Sequence, residues 1–237
     1  MKIGSALVFT FLAVGAQSAF GSLSFITSRG GLSGSDSLFI SSIGPDGTTE
    51  PSAGFVVDTT NGNPVTISDS GTSGFTVLQE GNDWLGNFAN NDFVLWTTGD
   101  AVPTTLAFGT SVAGVGMQIQ PNCFSPDCQG GTGDFTASIS AFDSSSSLLG
   151  SFTEDGVSNA NNDNSAIFIG VLSSSANVAS ITINITSPTG QDYAFNELTF
   201  GAASSGVPEP SSLAMVLCGA ALVAAIMSKR RGQIAQQ

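Results

Sequence analysis

Strict two-residue alternation is the feature that most limits this chain. In Phe135-Thr-Ala-Ser-Ile-Ser-Ala-Phe142 and Ile181-Thr-Ile-Asn-Ile-Thr186, apolar residues alternate with Ser, Thr or Asn. A period of two puts one set on each face of a strand, so these runs predict half-buried strands of an antiparallel sheet. Similar short runs are expected at Leu23–Thr27, Ser37–Ile43, Phe55–Asp58, Val65–Ser68, Phe75–Gln79, Phe93–Thr97 and Thr104–Phe108. They continue at Val112–Gln120, Asp134–Phe142, Leu148–Phe152, Ala166–Leu172, Val178–Thr186 and Tyr193–Phe200. Clusters of Gly, Ser, Asn, Asp and Pro separate them and supply turns. About a dozen such strands predict an all-β antiparallel β-sandwich or jelly roll. A parallel β-helix is the alternative, but no fixed-period repeat supports it.

The two ends read differently. Met1-Lys2 starts an apolar stretch, Ile3 to Ala16, followed by Ala16-Gln-Ser18 and Ala19-Phe-Gly21. Small-x-small triplets after a short apolar run predict a signal peptide over residues 1–21, cut by signal peptidase. At the far end, Val207-Pro208-Glu209-Pro210 is stiff and extended, since each proline fixes its own φ and restricts its neighbour. Residues 211–227 carry no charge and no proline. They predict a single transmembrane helix of about 25 Å at ~1.5 Å per residue. Lys229, Arg230 and Arg231 follow at once and orient that end to the cytoplasm. Residues 22–201 are then the ectodomain, and 202–206 (Ala-Ala-Ser-Ser-Gly) a flexible linker.

Charge separates the parts. Of 18 acidic residues only Glu209 lies outside the middle, and of five basic residues only Arg29 lies within it. Such a domain, formally about −16, repels nucleic acid and anionic membrane. The chain has no histidine, which removes Ser-His-Asp and Cys-His nucleophilic sites and His-ligated metals. The middle also lacks lysine, which removes Ser-Lys and Schiff-base chemistry.

A Pro-Glu-Pro, a short apolar helix and a basic tip, in that order over residues 207–231, resemble the PEP-CTERM sorting signal. Similar C-terminal segments are sometimes catalogued as an ice-binding-protein C-terminal domain, a label for a sorting tail that carries no ice-binding meaning. Proteins of that class belong to Gram-negative bacteria, many of them makers of extracellular polysaccharide. The resemblance implies recognition by an exosortase, cleavage near the motif and removal of the helix. The chain would stay in the inner membrane transiently, then reach the cell surface or extracellular matrix. The order of runs from about Asp83 to Gly201 resembles the extracellular β-sandwich of many PEP-CTERM proteins, and broadly the jelly rolls of carbohydrate-binding modules. No activity comes with either resemblance.

Few residues single themselves out for chemistry. Cys123 and Cys128 share the loop Pro121-Asn-Cys-Phe-Ser-Pro-Asp-Cys. In an oxidising compartment they predict a disulfide worth about 2–3 kcal/mol. Cys218 lies in the apolar helix with no expected partner. Loops rich in Asp and Asn surround Asp83 and Asp92, and again Asp155 and Asp163. Ca²⁺ takes about six to eight hard oxygens, so these four are candidate ligands. Neither loop has EF-hand spacing, and turn formation explains the composition as well. Trp84, in a polar loop, is the candidate aromatic contact for a glycan, whereas Trp96, in an apolar strand, reads as core. Composition marks out no pair of the ectodomain's carboxylates for glycoside hydrolysis, and Glu154-Asp155 reads as a solvated turn. The expected role is a structural or adhesive surface or matrix protein rather than an enzyme. A polysaccharide-binding module is the alternative and a matrix-polymer hydrolase the second.

Overall fold

The computed structural model describes residues 22–34, 36–122, 133–187 and 189–202. The expected signal peptide, Cys123, Cys128, the expected linker beyond Ala202 and the expected sorting tail with its helix lie outside the described residues. No helix among the described residues is long and apolar enough to cross a membrane.

In chain order the strands are β1 (Leu23–Ile26), β2 (Ser37–Leu38), β3 (Thr49–Glu50), β4 (Phe55–Asp58), β5 (Pro64–Asp69), β6 (Phe75–Gln79), β7 (Phe93–Trp96) and β8 (Thr104–Val112). Then come β9 (Gly114–Pro121), β10 (Asp134–Phe142), β11 (Leu148–Val157), β12 (Ile167–Ser173), β13 (Val178–Ser187), β14 (Tyr193–Phe195) and β15 (Leu198–Gly201). They form two antiparallel sheets. The front sheet runs β1-β12-β9-β14-β7-β6-β3, with β15 joining β9 to β2. The back sheet runs β11-β10-β13-β8-β5-β4. Every pairing of these strands is antiparallel, as expected for a sandwich and not for a parallel β-helix.

The alternation assigns the faces. Ala137, Ile139 and Ala141 of β10, with Ile181 and Ile183 of β13, meet Val115, Met117 and Ile119 of β9 and Ile169 and Val171 of β12 in one core. Rings join the sheets: Phe108 meets Phe200 edge-on at 5.6 Å and Phe25 stacks on Phe152 at 5.2 Å. The outward set of the back sheet is polar and in register. Ser151, Ser140, Thr182, Thr105 and Ser68 form one row across five strands.

Tyr193 pins the two sheets. Its hydroxyl accepts the Thr104 N–H at 2.9 Å and lies 2.9 Å from the Ile183 carbonyl, both in the back sheet. Burial pushes this phenol well above its ordinary range, so it stays a neutral donor. Tyr193→Phe leaves those backbone groups buried and unpaired. It is expected to cost about 1–2 kcal/mol, read as a lowered urea midpoint with an unchanged m-value.

Three expectations change. Ser37–Ile43 is not one strand: after β2 the chain closes a 3-10 turn over Ile40–Ser42, and Ser42 Oγ donates back to the Phe39 carbonyl at 2.6 Å. Tyr193–Phe200 is two strands broken at Asn196-Glu197. Glu154 and Asp155 belong to β11, not to a turn. β11 is an edge strand, and charge on an edge discourages pairing with another chain.

Candidate functional site

The outer face of the front sheet is covered in part by two loops. Residues 80–92 and 158–166 fold back over β6, β7, β9 and β14. Their apolar members Trp84, Phe88 and Ala166 close on Val94 and Ala194, with Leu78 and Trp96 at the margin. This makes a second, smaller core on the side opposite Met117 and Ile169.

Polar side chains hold these loops down. Glu80 is fully buried, and its carboxylate accepts the Gly86 N–H at 2.7 Å and the Phe88 N–H at 3.2 Å. Burial is the main reason its carboxyl sits above the usual range, and the Asp92 charge adds to it; the three backbone N–H bonds oppose the shift. Gln120 accepts the Asn87 N–H at 2.6 Å and donates to Ser158 and to the Asn159 carbonyl. Asn87 reaches Ser165 at 2.7 Å and accepts the Asn159 N–H at 2.7 Å. Asn91, Asn162 and Asn164 take left-handed φ values of 72°, 54° and 62°, which asparagine tolerates better than most residues. The Asn-rich composition therefore serves both turns and inter-loop bonds.

Beside this cover runs an open groove. One cavity of about 380 Å³ is lined by Arg29, Asp92, Gln118, Asn164, Phe168 and Glu197. A second, of about 210 Å³, shares Asp92 and Glu197 and adds Phe39, Asn91, Phe93 and Asn196. Phe168 and Gln118 are register partners on β12 and β9. Gly116, one step along β9, leaves room for the Phe168 ring: a Cβ there would sit 2.6 Å from it. Phe39 closes the other end and is 46% exposed, since the chain turns away after β2 and leaves the ring outside.

Much of the groove's polar lining is held by bonds within the protein. Asn196 donates to Asp92 Oδ2 at 3.2 Å and to Gln118 Oε1 at 2.7 Å, and accepts the Gln118 N–H at 3.0 Å. Gln118 Nε2 donates to Asn164 Oδ1 at 3.0 Å. Arg29 bonds Thr199, pairs with Glu197 Oε2 at 3.0 Å and lies over the Phe168 ring at 5.8 Å. No described residue bonds Asp92 Oδ1 or Glu197 Oε1, so both oxygens can accept from a ligand.

The sequence candidates fare unevenly. Trp84 is corrected: it is only 3% exposed and lies under the loop, so its ring is not offered to solvent. The physical reason is that Val94, Ala194 and Leu78 make an apolar patch that this loop must cover. Trp96 is half-buried on the same outer face and donates to Asp192 at 2.6 Å. The four candidate Ca²⁺ ligands do not converge. Asp83 faces Asp46, whose hydrogen bond and charge push its carboxyl up. Asp92 lies in the groove, and Asp155 accepts from Thr136 on the back sheet at 2.7 Å. Asp163 bonds Ser165, which lowers its carboxyl. Among the described residues no group of three or more Cys, Asp or Glu is arranged to hold a metal.

No family model matches this chain, and no curated protein is similar to it in sequence. Among solved structures it is similar to CsCBM6-3 from Clostridium stercorarium in complex with cellobiose, at TM-score 0.31 and 13% identity, covering 57% of this chain and 86% of that one. It is also similar to a mutant of CBM29-2, a family 29 carbohydrate binding module, at TM-score 0.27 and 12% identity, covering 61% and 98%. At these TM-scores the likeness says nothing of this chain's ligand.

Proposed function

We propose that this chain is an exported β-sandwich that binds polysaccharide through the Phe39–Phe168 groove and serves as an adhesive component of the cell surface or matrix. The observation that carries the reading is a convergence. An exposed ring and two carboxylates, each with an oxygen that has no partner among the described residues, line one open groove whose Gln118, Asn164 and Asn196 side chains already bond one another. A sugar presents an apolar C–H face and a rim of hydroxyl donors. The first suits the Phe39 ring, and the second suits Asp92 and Glu197. Preformed geometry lowers the entropic cost of binding.

Binding is favoured over hydrolysis. A glycosidase acid is a carboxyl whose environment raises its pKa beside the scissile bond. The raised carboxyls are Glu80, Asp69 and Asp83, and none of them lines the groove. Phe39→Ala is expected to weaken oligosaccharide binding about tenfold, roughly 1.4 kcal/mol, with the melting temperature unchanged. Equal affinity for wild type and variant would remove Phe39 from the site.

Delivery rests on the sequence. The signal peptide and the Val207–Arg231 tail support export, processing by signal peptidase and exosortase, and transient lodging in the inner membrane. Mass spectrometry of the mature protein should find a C-terminus near Pro208–Pro210, or a new covalent attachment there. A chain ending intact at Gln237 would leave a plain membrane anchor instead.

A further inference from the structure

We infer that the groove selects uncharged glycans against uronate-bearing ones, and that Glu197 enforces the choice by neutralising the Arg29 guanidinium. This rests on the glycan-binding reading of the groove and names its ligand class.

A sugar carboxylate is best recognised by a guanidinium, which offers a fork of N–H donors to two oxygens. Arg29 is the only basic side chain among the described residues, and it sits in this groove. Its charge is already paired at one nitrogen: Glu197 Oε2 lies 3.0 Å from Nη1, Thr199 Oγ1 bonds the same nitrogen, and the Phe168 ring lies 5.8 Å from the guanidinium carbon. Glu197 lies in the break between β14 and β15, and Thr199 is in β15.

The remaining groove charge is negative. Asp92 and Glu197 are two carboxylates against one guanidinium. A ligand carboxylate must therefore approach two like charges, with the only cation already paired. Like-charge juxtaposition penalises the wrong partner, and the ectodomain's excess of acid repels a polyanion at longer range. A neutral sugar meets no such penalty. Its hydroxyls are donors, and Asp92 Oδ1 and Glu197 Oε1 are acceptors with no partner among the described residues. Neutralising Glu197 should invert part of this pattern: one carboxylate is removed and the guanidinium is released.

The test titrates the full chain, held in a detergent without a sugar headgroup, by calorimetry in EDTA at low and high salt. Cello-, laminari- and manno-oligosaccharides are compared with oligogalacturonate and oligoguluronate. At least one neutral series is expected to bind with affinity insensitive to salt, and uronates at least about tenfold more weakly at low salt. Glu197→Gln is expected to raise uronate affinity about tenfold while changing neutral affinity no more than about threefold. Adding Arg29→Gln should abolish that gain. Uronate binding equal to or tighter than neutral binding in the wild type would overturn the selectivity and leave glycan binding standing. No binding to either class would overturn the glycan reading itself. A folded Glu197→Gln protein with no gain for uronates would remove Glu197 from the role. If that variant does not fold, the wild-type comparison alone decides the selectivity.

Discussion

Trp84→Ala is expected to lower the melting temperature by on the order of 10 °C, because truncating a buried tryptophan costs about 3–5 kcal/mol. The ring packs with Phe88, Val94, Ala166 and Ala194 and lies 6.5 Å from the Trp96 ring. Its Nε1 has no hydrogen-bond partner among the described residues, so the loss is one of packing rather than of a bond. Sugar binding should fall too, since the loop that Trp84 anchors carries Ala89, Asn91 and Asp92 into the groove. A fall in binding alone therefore cannot mark Trp84 as a ligand contact. Thermal melting with near-ultraviolet circular dichroism separates the cases. Trp84→Phe should recover much of the stability, as a smaller ring still fills part of the space. A Trp84→Ala protein that melts within about 1 °C of wild type would place the ring at the surface.

What could be read from the sequence follows the range of each signal. Period-two alternation is local, so β10 and β6 have the expected bounds, and β13 extends one residue past its predicted end. Which way a loop folds is not local. The composition of residues 80–92 is polar, which suggested an exposed Trp84. Its burial is decided by Val94 and Ala194, the latter 110 positions away. The groove was missed for the same reason, since Asp92 meets Asn196 across 104 residues. Phe39 lay hidden in an apparently continuous strand run, and only the 3-10 turn after it leaves its ring outside. One signal was present and used only for net charge. Arg29 is the sole base of the middle segment, and a lone cation in so acidic a domain marks a place where charge is arranged.

Glu80→Ala should destabilise the domain by about 2–5 kcal/mol, because it leaves the buried Gly86 and Phe88 N–H groups without an acceptor. Glu80 also sets a pH dependence with a definite sign. Burial raises its folded pKa above the unfolded value. The folded state therefore binds its proton more readily than the unfolded chain does. The stability linked to that proton is fully present below the unfolded pKa and is lost as pH rises through the folded one. Asp69, raised first by its own burial, contributes in the same direction. Glu80→Gln has no proton to lose at this site. It should carry a constant cost, because its amide N–H₂ faces a backbone donor where the second carboxylate oxygen stood. The gap in melting temperature between wild type and Glu80→Gln should then be largest in acid and narrow as pH rises through the folded pKa. A gap that widens toward neutral pH would mean that folding favours the ionised form. The backbone bonds from Gly86 and Phe88 would then outweigh desolvation. Because Asp92 both raises Glu80 and lines the groove, Asp92→Asn should shift this pH window downward. That shift would tie the buried anchor to the groove that Asp92 lines.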